Sequence, residues 1–227
     1  MTAAPRVVSL VPSVTETLLA WEVVPVGVTR FCEQPSLLAV GGTKNPDLDA
    51  VVALRPDLVV VNDEENRRED AEALTAAGLD VHVIRIGGVA DVAPALAALA
   101  TRVGVRPTPV EPLRAPTPAR CTAFVPIWRR PWMTLDAGTY GSSVLAWLGV
   151  ANVFAESATR YPEVTLAEAA SRRPDLVLAP SEPYPFGARH EEELATVAPV
   201  RFVDGQDLFW WGVRTPSALD RLAAALV

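Results

Sequence analysis

Several common chemistries lack their residues in this chain. Of its 227 residues only one is lysine, Lys44, two are cysteine, Cys32 and Cys121, and two are histidine, His82 and His190. The formal charge is −7, and no Lys/Arg run is interleaved with aromatics. That argues against a nucleic-acid partner, which needs a basic surface to displace phosphate counterions. The two cysteines stand far apart and in no metal-ligand spacing, so two reduced thiols are expected in place of a disulfide, and no protein-held metal. His82 lies inside the apolar run Val81-His82-Val83 and reads as structural. His190 opens His-Glu-Glu-Glu, which lacks the second histidine of a zinc-protease helix. No nucleophile elbow, phosphate-binding loop or dinucleotide fingerprint occurs, and the pairs Gly41-Gly42 and Gly87-Gly88 lack the spacing of one. The chain is therefore expected not to be an enzyme. No apolar stretch approaches the roughly 20 residues of a membrane span, so insertion into a membrane is not expected. Met1-Thr2-Ala3-Ala4-Pro5 carries no basic-then-apolar leader. The expectation is a cytoplasmic location, or a periplasmic or extracellular one if a leader has been removed.

Half of the residues are hydrophobic and 21% are charged, an ordinary globular balance. The length suits two lobes of roughly 100 residues each. Short Val-rich runs at 7–11, 25–28, 58–61 and 81–86 read as buried parallel strands. Helical patterns lie between them, at 70–77 before Gly78 and from Val89 to Val103 before Gly104. Alternation of this kind predicts a doubly wound α/β lobe over 1–104. Residues 105–119 then carry five prolines, which exclude a helix or a central strand and read as a semi-stiff linker. Over 120–227 the α/β pattern resumes, with strands at Cys121–Val125, Leu176–Ala179 and Val200–Val203 and a last helix from Pro216 to Ala225.

The second half repeats the first. Residues 48–64 and 166–182 align without a gap as helix, Arg-Pro-Asp turn, strand and terminal Glu. Thr17-Leu18-Leu19-Ala20-Trp21 likewise matches Ser143-Val144-Leu145-Ala146-Trp147. Two matches in the same order predict two lobes of similar topology facing a central ligand cleft. Ligands of open α/β sheets collect at the carboxyl ends of strands, so the residues just after each strand are the candidates. After the first strand, Ser13 with Glu16 three residues on has the pattern of a capping box, and Ser13 and Thr15 could equally offer polar contacts to a ligand. Phe31 follows the second strand, and Asn62 ends the repeated one. Trp128, Trp132, Tyr140, Tyr184, Phe186, Trp210 and Trp211 crowd the second half, most of them in predicted loops, where flat rings beside Arg129 and Arg214 suit a large planar or amphipathic ligand. Guanidinium forks would meet its carboxylate or phosphate groups. Glu64 and Glu182 end the repeated strands as a pair of carboxylates.

Arg6-Val7-Val8-Ser9-Leu10-Val11-Pro12-Ser13-Val14-Thr15-Glu16, Pro25-Val26-Gly27-Val28-Thr29, Val40-Gly41-Gly42 with Asn45-Pro46, and Leu54-Arg55-Pro56-Asp57-Leu58-Val59 resemble the vitamin B12 and ferric-siderophore binding-protein family. These proteins, also called helical-backbone metal receptors, are the substrate-binding components of ABC importers. In the second lobe, Glu182-Pro183-Tyr184-Pro185-Phe186 and Asp204-Gly205-Gln206 through Trp210, with Gly212 and Arg214-Thr215, resemble a leaderless, cobalamin-binding branch of it. The resemblance implies a corrinoid or related metal chelate, such as a siderophore complex, held reversibly between two lobes by aromatic and Arg side chains. No covalent chemistry and no cofactor are implied, and the ligand would pass to an ABC permease. Carried over, it points to Phe31, Asn62 and the second-lobe aromatics. Family members join their lobes by a long rigid helix, whereas here the short Pro-rich segment is expected to do so. Arg68 falls near the place of a transporter-docking glutamate, which leaves Glu69 beside it, and Glu191 in the second lobe, as docking candidates. A monomer or weak dimer is expected. Two further readings are a cytoplasmic cofactor chaperone or sensor not coupled to transport, and an enzyme of metal-chelate metabolism using Glu64 and Glu182.

Overall fold

Short valine-rich runs pair as parallel strands in the computed structural model, which describes residues 5–106 and 116–226. Among these, residues 5–86, 91–106 and 211–213 form one compact unit, and 87–90, 116–210 and 214–226 form the other. In the N-terminal unit the elements are β1 (Val7–Ser9), α1 (Pro12–Ala20), β2 (Gly27–Val28), α2 (Leu48–Ala53), β3 (Leu58–Asn62), α3 (Arg68–Ala76), β4 (Val81–Ile84) and most of α4 (Val89–Val103). The sheet runs β2-β1-β3-β4, with each pair parallel. Every residue of β1 and β3 is buried, which is why their apolar runs are continuous rather than alternating. Val8, Leu10, Val51, Val59, Val61 and Leu74 make the core on one side of that sheet.

The C-terminal unit holds β5 (Cys121–Phe124), β6 (Trp132–Met133), α5 (Tyr140–Trp147), β7 (Val150–Asn152), β8 (Glu163–Val164), α6 (Leu166–Ser171), β9 (Leu176–Pro180), α7 (Glu191–Leu194), β10 (Val200–Val203), α8 (Gly205–Phe209) and α9 (Thr215–Ala225). Its parallel sheet runs β7-β5-β9-β10, and β6 and β8 pair antiparallel beside it. Phe124, Phe154, Val177, Phe186 and Leu194 centre the core.

The two sheets share one topology, strand for strand, as the repeat predicts. α2 and α6 begin and end at matching repeat positions, and so do β3 and β9. The match extends to backbone detail. Arg55 and Arg173, each opening an Arg-Pro-Asp turn, adopt positive φ of 46° and 49°. The Asp that follows each proline accepts the backbone N–H at or beside the start of the first strand of its own unit. Arg6 N donates to Asp57 Oδ2 and Thr122 N to Asp175 Oδ2, both at 2.7 Å. Those bonds tie the turn to the neighbouring strand and hold the Asp175 carboxyl below the usual carboxylate range.

Some expectations shift. α1 begins at Pro12, whose missing N–H is no loss in a first turn, and Val11 is the N-cap without a side-chain bond. Ser13 is thus inside the helix and is not its cap, so the capping box falls away. The strand expected over 25–28 shortens to Gly27–Val28. α4 ends at Val103 as its pattern predicts. Most of the Pro-rich segment 105–119 lies outside the described residues, and 116–119 carry no regular structure.

Candidate ligand-binding site

β5 and β9 are adjacent and parallel, with Phe124 beside Val177, so the loops at their carboxyl ends emerge side by side. The first turns back through a tight hairpin, in which Ile127 N donates to Met133 O at 2.9 Å and Met133 N to Trp128 O at 3.2 Å. It carries Trp128, Arg129 and Trp132. The second loop carries Tyr184 and Phe186 and enters a short turn ending at His190. Residues more than fifty positions apart therefore make one aromatic cluster.

The innermost rings are Phe186 and Trp132, stacked 5.9 Å apart at 7°. Tyr184 tilts against Phe186 at 4.7 Å, and Trp128 meets Tyr184 edge-on at 5.6 Å. Phe186 is core, whereas Trp128 remains 44% exposed, so the cluster grades from packed interior to an open aromatic face. Arg129 lies 5.9 Å from the Trp132 ring and pairs with Glu193, whose Oε2 is 3.0 Å from Nε. Desolvation works against the guanidinium charge, but bonding to Tyr184 and Glu193 outweighs it and raises the group's pKa. His190 is buried with its ring edge-on to Tyr184 and Phe186. Four predicted residues, Trp128, Arg129, Trp132 and Tyr184, are thus gathered at one place. Phe186, the second ring of the proline-stiffened pair, joins them, and His190 and Glu193 complete the cluster from outside the predicted contacts. Pro183 and Pro185, which stiffen the aromatic loop, were the available signal.

The remaining predicted residues lie elsewhere. Trp210 sits under the Arg214 guanidinium at 5.1 Å, and Arg214 also bonds Gln206 and the buried Asp207. Arg214 is 14% exposed and already engaged, which corrects its expected role as an open anion fork. Tyr140 is buried with its hydroxyl 3.0 Å from Thr215 Oγ1, and burial pushes its phenol up to about 12. It offers no ring face to a ligand. Trp211, only 3% exposed, cannot stack on one either. It belongs to the 211–213 segment of the N-terminal unit, where Val213 N donates to Thr17 Oγ1. Gly212 in that segment has φ +125°, and a Cβ there would strike Thr17 Oγ1. Gly212→Ala is expected to lower stability by about 1–2 kcal/mol, read by denaturant unfolding. Thr17→Ser, which keeps the hydroxyl with a freer rotamer, is expected to restore part of the loss.

In the N-terminal unit Thr15 is fully buried, its hydroxyl shared among Ser9, the Val11 carbonyl and Cys32. Ser13 is 1% exposed and its carbonyl accepts from Thr17. Asn62 is buried, and its carboxamide accepts from the N–H groups of Glu64 and Glu65 and donates to the Ile84 carbonyl. All three are buried, with Thr15 and Asn62 engaged in bonds within their own unit. Phe31 by contrast is 49% exposed, beneath the Arg30 guanidinium at 4.9 Å. Glu69 in the first turn of α3 and Glu191 at the start of α7 are both exposed. Glu64 and Glu182 are half-buried in their respective units, with Glu64 N bound to Asn62. Both cysteines are free thiols; burial pushes Cys32 up, away from thiolate reactivity. Among the described residues no group of three or more His, Cys, Asp or Glu could hold a metal ion, and no helix is long and apolar enough to cross a membrane. A groove of about 710 Å³ runs beside α3 and β4, floored by Val61, Val81 and Val83, and contains none of the clustered aromatics.

No family model matches the chain. The vitamin B12-binding protein of Salmonella typhi is 30% identical over 182 residues, which span 72% of this chain and 67% of that protein. The chain belongs to the vitamin B12 and ferric-siderophore binding-protein family. A more distant member, the vitamin B12-binding protein of Vibrio parahaemolyticus serotype O3:K6, is 24% identical over 181 residues, covering 72% of this chain and 66% of that one. Among solved structures of the same fold, the periplasmic vitamin B12 binding protein BtuF of Vibrio cholerae gives a TM-score of 0.81 at 20% identity, over 98% of this chain and 96% of that one. The periplasmic heme-binding protein RhuT from Roseiflexus gives 0.78 at 17% identity, over 98% of each. These family members and fold neighbours are named as binding proteins. The two solved neighbours are periplasmic, so the cytoplasmic expectation finds no support in them.

Proposed function

We propose that the chain is a receptor that reversibly binds a corrinoid or a related metal chelate against the aromatic face of its C-terminal unit. The observation that carries this reading is the graded cluster, with Trp128 and Tyr184 outermost and Phe186 rooted in the core. A planar, amphipathic chelate gains most from rigid rings already held at the right spacing, because little side-chain entropy is lost on binding. Arg129 and Glu193 at its margin supply a charged edge for the ligand's polar periphery. The metal would arrive already chelated, and no protein ligand to it is invoked. Family membership supports the binding role, and the relatives' names support tetrapyrrole-like cargo. In this reading the protein works outside the cytoplasm and hands its ligand to an ABC permease, with Glu69 and Glu191 as the carboxylates that meet it.

Intrinsic tryptophan fluorescence, corrected for inner-filter absorption and checked by calorimetry, tests the assignment with cyanocobalamin, hemin and a ferric siderophore. One of the three is expected to bind saturably at one to one. Trp128→Ala is expected to weaken it about tenfold, equivalent to ~1.4 kcal/mol, with an unchanged melting temperature. Absence of saturable binding of all three at micromolar concentration would overturn the reading.

A further inference from the structure

We propose that His190 is the positioning residue of the aromatic face and makes ligand capture pH-dependent: the neutral ring holds Tyr184 and Phe186 in place, and protonation releases them. The inference rests on the reading that this face binds the ligand. His190 is 4% exposed, and its ring meets Tyr184 at 5.5 Å and 63° and Phe186 at 5.4 Å and 75°. It thus supports both rings of the loop from behind.

The imidazole is itself fixed by a reciprocal pair of bonds. His190 N donates to Gly187 O at 2.8 Å, and Gly187 N donates to Nδ1 at 3.2 Å. This pair closes the turn directly after Phe186. At the other nitrogen, Arg189 Nε points to Nε2 from 3.3 Å. A neutral imidazole has one nitrogen free to accept, whereas an imidazolium carries hydrogen on both and accepts from neither. Gly187 N and Arg189 Nε both aim a donor at the ring and the neutral imidazole accepts from one of them, so protonation removes that bond and sets a cation against the Arg189 guanidinium.

Burial and the two neighbouring arginines oppose a charged ring, and one carboxylate favours it. Arg189 of its own turn and Arg129 of the 127–133 hairpin oppose a positive ring, and Tyr184 faces it edge-on. Glu193 of α7 favours the cation, but that carboxylate is held by Arg129 at 2.9 and 3.0 Å. Burial above all, and then the two arginines, hold the imidazole below its ordinary 6.5. For a depressed histidine, the folded arrangement is fully supported above about pH 6.5 and loses that support as the pH falls towards and through the ring's own pKa. The other histidine, His82, lies on β4 of the N-terminal unit and takes no part.

The test measures the Kd of the full-length protein for cyanocobalamin and for hemin from about pH 7.5 down to about pH 5, for wild type and His190→Asn. Asn keeps an acceptor near the Nδ1 position and does not titrate. Wild type is expected to lose affinity, approaching about tenfold per pH unit below the ring's pKa, while His190→Asn, which lacks the supporting ring, binds more weakly than wild type at neutral pH but with a Kd that no longer changes with pH. A flat wild-type profile, or an unchanged slope in His190→Asn, would overturn the proposal. Proton NMR of the ligand-free wild type, with His82→Gln to assign the two imidazoles, gives a reading that needs neither a folded variant nor a ligand. The Tyr184 ring resonances are expected to shift with the His190 midpoint, and their indifference to it would also overturn the proposal. If neither ligand binds at any pH, the receptor reading fails alone, and the NMR result decides the role of His190.

Discussion

Gly205→Ala is expected to destabilise the protein by about 3 kcal/mol and to weaken ligand binding beyond what the stability loss explains. Gly205 opens α8, and its Cα faces the backbone of Glu182. A Cβ placed there would overlap Glu182 N, lie 2.5 Å from Glu182 Cγ and lie 2.7 Å from the Glu182 carbonyl oxygen. Two of these three atoms are main chain, so no rotamer change relieves the overlap, and either α8 or the loop must move. Ser181 adds a second link, accepting from Gly205 N at 2.9 Å. The loop that would be pushed out is the one carrying Tyr184 and Phe186. Denaturant unfolding reads the stability term. The binding term is read as Kd at a temperature where the variant is fully folded. A variant as stable as wild type, or one destabilised with normal affinity, would mean that the loop is not braced from α8.

That brace illustrates what the sequence could and could not reveal. The parallel sheets were legible because their strands are short apolar runs, those of β1 and β3 wholly buried, and the repeat placed α2, β3, α6 and β9 with matching bounds. The Arg-Pro-Asp turns were legible as turns. Their shared chemistry, an Asp accepting from the neighbouring strand in each unit, depends on a partner about fifty residues away and was not. α8 was not foreseen: its five residues carry no helical period, and its Asp207 is buried against two arginines. β6 and β8 are two residues each and exist only through their pairing with each other. Aromatic crowding in the second half was plain, yet composition could not separate Trp128, which stays open, from Trp211, which is enclosed. What gathers Trp128 with Tyr184 is the adjacency of β5 and β9, a fact of topology. Sequence could not show that Ser13 and Thr15 lie buried inside α1, or that Asn62, at the end of its strand, satisfies the backbone groups that the strand end leaves open.

Asp207→Ala is expected to be as damaging as Gly205→Ala, costing about 3 kcal/mol or more. The carboxylate is 4% exposed and accepts a bidentate fork from Arg221, Nε to Oδ2 at 2.7 Å and Nη2 to Oδ1 at 2.6 Å, with Arg214 Nη1 at 3.4 Å from Oδ1. Arg221 is 55% exposed and can turn to water when its partner is lost. Arg214 is 14% exposed and packed over Trp210, so its charge stays enclosed when the carboxylate is lost. Asp207→Asn separates the two contributions. It keeps one oxygen acceptor but places an amide against guanidinium, so its loss is expected to lie between wild type and alanine. Arg221→Ala, which leaves the carboxylate with Arg214, is expected to cost less than either substitution at 207. Chemical denaturation of the four proteins at neutral pH gives the order. Were Asp207→Ala no less stable than Arg221→Ala, the buried carboxylate would not be what holds α8 to α9. Because α8 braces the 182–186 loop through Gly205, the same series carries over to binding: the Asp207 variants are expected to bind more weakly than Arg221→Ala.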